Sequence, residues 1–471
     1  MPNNSWNDAE EQLNPLSSLL PDWTDPEDEE EEFRSDFFLG LEGRRRKAAL
    51  VMMSVWGVTI GLHLVSWGLW VVLSLTAILL IYITRLFLTE PPATPQPLSE
   101  NQLADAPSVS LLVSAKNEEA VISKLVKMLC NLDYPEDKYE VWVIDDYSTD
   151  QTPQLLDKLA QEYPQLNVLH RPANAGGGKC GALNQVLPLT KGDIIGVFDA
   201  DATVTKDLLR QVVPLFDPES MGAVQVRKAI ANPHENFWTK GQVIEMALDS
   251  YFQQQRIASG GIGELRGNGQ FVRRQALDSC GGWNEQTITD DLDLTVRLHL
   301  DNWEIGFLQF PAVEEEGVTK AIALWHQRSR WAEGGFQRYL DYWRWIANNR
   351  LPFTKSVDLL MFVLIQYLLP TAMIPDTIMA VSHHHFPILM PLTTTVFSLS
   401  FVGMVTGLRR TRQDTELSLF EVLKQTIPAM LYMSHWFLVM PTTTTRMSIR
   451  PKRLKWVKTV HQGTAEEGFE F

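Results

Sequence analysis

Cysteine is scarce in this chain: Cys130, Cys180 and Cys280 are the only three in 471 residues, and each stands alone. Without a CxxC pair there is no disulfide framework and no thiolate zinc site, leaving three reduced thiols in or near a core. Positive charge is also short. Lys and Arg number 41 against 57 Asp and Glu, a formal −16, which argues against nucleic-acid binding. The deficit is local, because residues 1–43 hold thirteen acidic side chains and one basic one, Arg34. Such a stretch cannot bury anything and reads as a solvated, disordered tail. Its acidity excludes a secretory signal peptide, and no internal repeat is visible.

From Ala48 to Thr84 charge is missing altogether for 37 residues. That is too long for one bilayer crossing and enough for two short ones, with a turn near Ser66-Trp67-Gly68. Arg44-Arg45-Arg46-Lys47 before the run and Arg85 after it favour a hairpin over 44–89 with both ends cytoplasmic. A Pro-rich linker follows over 90–107. Beyond a polar domain at 108–350, residues 351–446 are again apolar. Val357–Val381 and Phe386–Leu408 read as spans, with Asp358 and Asp376 required to lie near the ends of the first or to face protein. Thr426–Thr445 reads as a re-entrant or interfacial segment, since a full crossing would put the basic tail after it on the wrong side. Residues 447–471 form a basic, then acidic, cytoplasmic tail.

The central domain alternates β-branched runs (Val109–Val113, Glu140–Ile144, Asn167–His170, Asp193–Phe198, Gly222–Val226) with helical stretches. Alternation of this kind is expected to give an α/β fold, a mostly parallel sheet with ligands at the C-terminal ends of its strands. Polar signals fall at those ends. They are Ser114-Ala115-Lys116-Asn117-Glu118-Glu119, Asp145-Asp146, Asn174-Ala175-Gly176-Gly177-Gly178-Lys179, Asp199-Ala200-Asp201, Thr289-Asp290-Asp291 and Gln327-Arg328-Ser329-Arg330-Trp331. Three glycines permit close backbone approach to a phosphate that a lysine then meets. Carboxylates at i and i+2 suit Mg²⁺ or Mn²⁺ with phosphate oxygens as further ligands. Each motif alone has a plain structural reading, as N-cap, flexible loop or interfacial belt; their joint order does not. His383-His384-His385 and Glu314-Glu315-Glu316 read as solvated loops.

The ordered set SAKNEE, VIDDYSTD, NAGGGKCGALN, DAD, RGNGQFVRR, TDD and QRSRW resembles membrane-bound glycosyltransferases of family 2, over roughly residues 108–345. The QxxRW motif is similar to that of the branch holding polysaccharide synthases and lipid glucosyltransferases. The resemblance implies a GT-A (nucleotide-diphospho-sugar transferase) domain with N- and C-terminal transmembrane helices, on the cytoplasmic face of a membrane. It also implies an inverting transfer of one glucose from UDP-glucose to diacylglycerol with Mg²⁺ (or Mn²⁺). Carried over by motif, Lys116, Glu118, Asp146, Lys179, Asp199 and Arg330 would bind the donor, and Asp201 with Asp199 the metal. Asp291, seconded by Asp290, would be the base, and Gln327, Trp331, Gly267 and Asn268 would face the acceptor. TDD replaces the commoner TED, which leaves the share of Asp290 open. A processive polysaccharide synthase, a ceramide-type glucosyltransferase and a silent scaffold are the alternatives. Four to five spans offer little material for a polymer channel, and every position that the chemistry needs is filled.

Overall fold

The computed structural model describes residues 43–348, 350–411 and 417–449; the expected tails at 1–43 and 447–471 fall outside these apart from Gly43 and residues 447–449. Seven strands form one sheet in the order β3-β2-β1-β4-β6-β5-β7. They are β1 (Val109–Ala115), β2 (Tyr139–Asp145), β3 (Leu166–His170), β4 (Ile194–Phe198), β5 (Met221–Ile230), β6 (Gln270–Arg273) and β7 (Glu304–Glu315). β1 to β4 run parallel, β6 is antiparallel to both β4 and β5, and β5 pairs parallel with β7. The pleat sends Leu111 and Val113 into one core and Leu112 into another on the opposite face. Chain order reverses between β1 and β4, which opens a crevice at their C-terminal ends.

Helices that shape this crevice come from all along the chain. α1 (Arg44–Leu64) and α2 (Gly68–Leu88) form a hairpin. α3 (Gly178–Val186), α4 (Phe237–Ala258), α5 (Asp290–Leu300) and α6 (Ala321–Ala347) belong to the central domain. α7 (Phe353–Ser382), α8 (Met390–Arg410), α9 (Leu419–Met433) and α10 (Trp436–Ile449) follow. Among the described residues α1, α2, α7 and α8 are long and apolar enough to cross a membrane. The last apolar run is broken at Ser434-His435 into α9 and α10, each too short for a crossing. α7 carries a π-helical turn at Leu364–Leu368, just before Pro370.

Both acids of α7 are buried and paired. Asp358 binds Arg256 at 2.8 Å and accepts from the Tyr82 hydroxyl at 2.6 Å. Asp376 meets His63 at 2.7 Å and accepts the Ile388 and Leu389 N–H groups. The linker also packs: Leu103 and Ala106 enter the main core. The three cysteines are free and buried. One sequence expectation is corrected. Glu314 and Glu315 end strand β7 rather than forming a solvated loop, because Glu314 bridges to Thr203 and Glu315 is held by Lys228 at 2.8 Å.

Candidate active site

Three strand ends build the floor of a cavity of about 750 Å³. Beyond β1, Lys116 and Glu118 line it, and the Glu118 N–H is anchored on Thr152 Oγ1 at 2.8 Å. Beyond β2, Asp146 accepts from Arg171 Nη1 at 2.5 Å, while Arg171 Nη2 donates to the Gly176 carbonyl at 2.5 Å. One buried arginine therefore ties the Asp146 turn to the glycine loop. That loop ends at Gly177, where φ is +78° and a Cβ would collide with the Glu285 carboxylate. Its N–H groups open α3, which gives an anion the positive end of a helix.

Lys179, in the first turn of α3, reaches Asp199 Oδ1 at 2.7 Å and lies 4.0 Å from Asp290. Burial works against its charge, but Asp199 and Asp290 outweigh that and raise its pKa. Asp201 accepts the Glu316 N–H at 3.0 Å. Among the described residues no three His, Cys, Asp or Glu side chains are grouped to hold a metal.

Asp290 and Asp291 occupy the first turn of α5, and both line the cavity. Burial, then the neighbouring Asp290 charge, raises the Asp291 pKa to about 6. Gly267 lies directly over this carboxylate: with φ at +80°, a Cβ there would stand 3.4 Å from Asp291 Oδ2. Gln327, Arg330 and Trp331 come from α6 on the other wall. The Arg328 guanidinium stands 4.0 Å from the centre of the Trp331 ring and the Lys228 ammonium 5.4 Å from it. Arg328 is itself held by buried Glu245 and the Tyr432 hydroxyl. Burial lowers the Arg330 pKa.

Of the residues that the motifs assign to donor, metal, base or acceptor, all line this cavity except Asn268. Asn268 is fully buried behind it and accepts the Asp199 N–H at 3.2 Å, so its place is in support of the floor. Sequence reading missed Arg171, Lys228, Glu285 and Glu315, which carry no local motif and arrive from separate elements. The far part of the cavity is apolar. Phe252 of α4, Phe362 of α7, Val396 and Met404 of α8, Met430 of α9 and Met440 of α10 line it.

A sheet of this order, phosphate-binding features at its switch point and a wall of membrane helices define a membrane-bound glycosyltransferase with a GT-A fold. The model of glycosyl transferase family 2 matches residues 110–281. The fold is shared with a mannosyltransferase from Pyrobaculum calidifontis solved with GDP-Man and Mn²⁺, at a TM-score of 0.51 and 18% identity, over 86% of this chain and 99% of that one. Along its whole length the chain is similar to beta-monoglucosyldiacylglycerol synthases. It is 58% identical to that of Synechocystis over 100% of this chain and 99% of the relative. It is 61% identical to that of Nostoc over 99% of this chain and 100% of the relative. The chain belongs to the beta-monoglucosyldiacylglycerol synthase family.

Proposed function

We propose that this protein transfers a single glucose from UDP-glucose to the free hydroxyl of 1,2-diacylglycerol, with inversion, giving a β-glucosyl lipid. The observation that carries this reading is the continuity of one cavity. Its carboxylates, lysine and glycine loop suit a nucleotide diphosphate, and its far wall is apolar helix surface suited to acyl chains. Full-length likeness to the Synechocystis and Nostoc enzymes supports the same substrates.

In this reading Asp146, Lys116 and Glu118 hold the nucleoside, and Lys179 and Arg330 meet the diphosphate as it leaves. Their positive charge stabilises the leaving group. Asp199 and Asp201 fit a hard divalent cation such as Mg²⁺ or Mn²⁺, because both offer carboxylate oxygens to the cavity that admits the diphosphate. Bound there, the ion would neutralise phosphate charge. Asp291 takes the proton of the acceptor hydroxyl as that oxygen attacks the anomeric carbon. A pKa near 6 leaves it ionised at neutral pH yet basic enough to help. Attack opposite the leaving UDP turns an α-linked donor into a β-glycoside. Trp331 and Gln327 close over the acceptor, and the catalytic domain sits on the cytoplasmic side, where flanking Arg and Lys would keep it.

The test is a membrane assay with a panel of labelled UDP-sugars and lipid extraction of the product. One β-linked glucose per diacylglycerol is expected. A polymer, or label that never enters the lipid fraction, would overturn the reading.

A further inference from the structure

The cavity changes from polar to apolar partway along, and the groups at that change take no part in the transfer step. Arg338 of α6 is 2% exposed and lines the cavity. Its Nη2 binds Glu264 at 2.7 Å and the Tyr339 hydroxyl at 3.0 Å, but Nε and Nη1 have no hydrogen-bond partner. Gln366 of α7, also on the cavity wall, has its Oε1 buried without a partner. Buried polar atoms are normally satisfied, so three orphan atoms on two residues of one cavity wall point to something that fills it.

The backbone is adapted at the same place. Gln366 sits in the π-helical turn Leu364–Leu368, and Ile365, Gln366 and Tyr367 line the cavity in succession. The position is close to the base. A Cβ on Gly335, one turn before Arg338, would meet both the Tyr367 hydroxyl and the Leu292 side chain, and Leu292 follows Asp291.

Charge at this point is already balanced. Glu264 is shared by Arg256, Arg266 and Arg338, while Asp358 pairs with Arg256 and Asp249 with Arg266. Three cations thus face three anions, which leaves spare N–H donors but no net charge to attract an anion. A neutral acceptor group suits them. In diacylglycerol the free hydroxyl is followed by two ester groups, whose carbonyls only accept hydrogen bonds, and then by the acyl chains.

We infer that Arg338 and Gln366 hold the ester carbonyl oxygens of the diacylglycerol acceptor and so set its free hydroxyl against Asp291. The assignment rests on the acceptor reading above. A Gln366 amide turned with its N–H₂ toward the cavity donates to one carbonyl, and a spare N–H of Arg338 donates to the other.

The experiment compares 1,2-diacylglycerol with a 1,2-dialkylglycerol of equal chain length, which keeps the hydroxyl and tails but lacks the carbonyls. With UDP-glucose, the wild-type protein is expected to favour the diester by about tenfold in kcat/KM. Gln366→Leu and Arg338→Met are expected to bring that ratio towards one. Arg338→Met leaves Glu264 paired with two arginines, and Gln366→Leu carries the test if the arginine variant does not fold. UDP binding measured on each preparation establishes that it is folded. A wild-type ratio near one, or variants that lose both lipids in parallel with the ratio kept, would overturn the assignment. If the wild type glucosylates neither lipid, the acceptor reading itself falls.

Discussion

Asp291 and Asp290 stand side by side in one helical turn, and Asp291 is raised to about 6, by burial and then by its neighbour's charge. A base must be ionised to act, so kcat/KM should fall as pH drops through about 6. Asp290→Asn removes the like charge and lowers the Asp291 pKa, so the acid limb should move to lower pH; an unmoved limb would assign it elsewhere. Asp291→Asn keeps shape and loses basicity, and should reduce turnover by about 10²–10⁴-fold with UDP affinity held within a few-fold. At Asp201 the expected loss is of another kind. Asp201→Asn should bring transfer near background and weaken Mg²⁺-dependent donor binding measured by calorimetry, and full activity of that variant in EDTA would refute the ligand role. These carboxylates were legible in the sequence because each sits in a short motif at a strand or helix end. Asn268 was legible only as part of a motif, and burial gave it a supporting place instead.

Among the elements, α1 does more than enter the membrane. Arg44, its first residue, binds Asp341 of α6 through Nε and Nη2 at 2.7 and 2.6 Å, and donates from Nη1 to the Gln286 carbonyl at 2.9 Å. Gln337 holds the same loop, donating to the Gln286 carbonyl at 3.1 Å. That loop leads into Asp290-Asp291, so α1 helps to fix the base from outside the central domain. Arg44→Ala should therefore lower kcat by about tenfold, and Arg44→Lys should restore little, because a lysine lacks the planar fork. Turnover kinetics at saturating UDP-glucose would measure it, and an unchanged kcat would remove α1 from the site. Two strands escaped the sequence reading for physical reasons. β6 has only four residues, and β7 contains Pro311 and ends in two glutamates that resemble a solvated turn until Lys228 and Thr203 meet them.

For the whole molecule the central question is which side each connection faces. If α1 and α2 form a hairpin across the bilayer, Arg46→Cys and Ala93→Cys should be labelled from one side and His383→Cys from the other. The three native thiols are buried and should contribute little background. Opposite labelling of residues 46 and 93 would mean a single crossing there. At this scale α9 and α10 matter too, since they close the apolar end of the cavity with Met430, Met433 and Met440, flexible side chains that adapt to acyl chains.

What the sequence alone determined was the chemistry carried by neighbours in the chain. Strand periodicity, the carboxylate pairs, the glycine loop, the charge-free runs and the QxxRW motif are local patterns, and local patterns are set by backbone geometry and solvation. The meeting of distant residues came with the packing of the chain: Arg171 with Asp146, Lys228 with Glu315, Arg44 with Gln286, Arg338 and Gln366 in one wall. Those pairings depend on how the sheet, α6 and the membrane helices pack together, and no spacing along the chain encodes that distance.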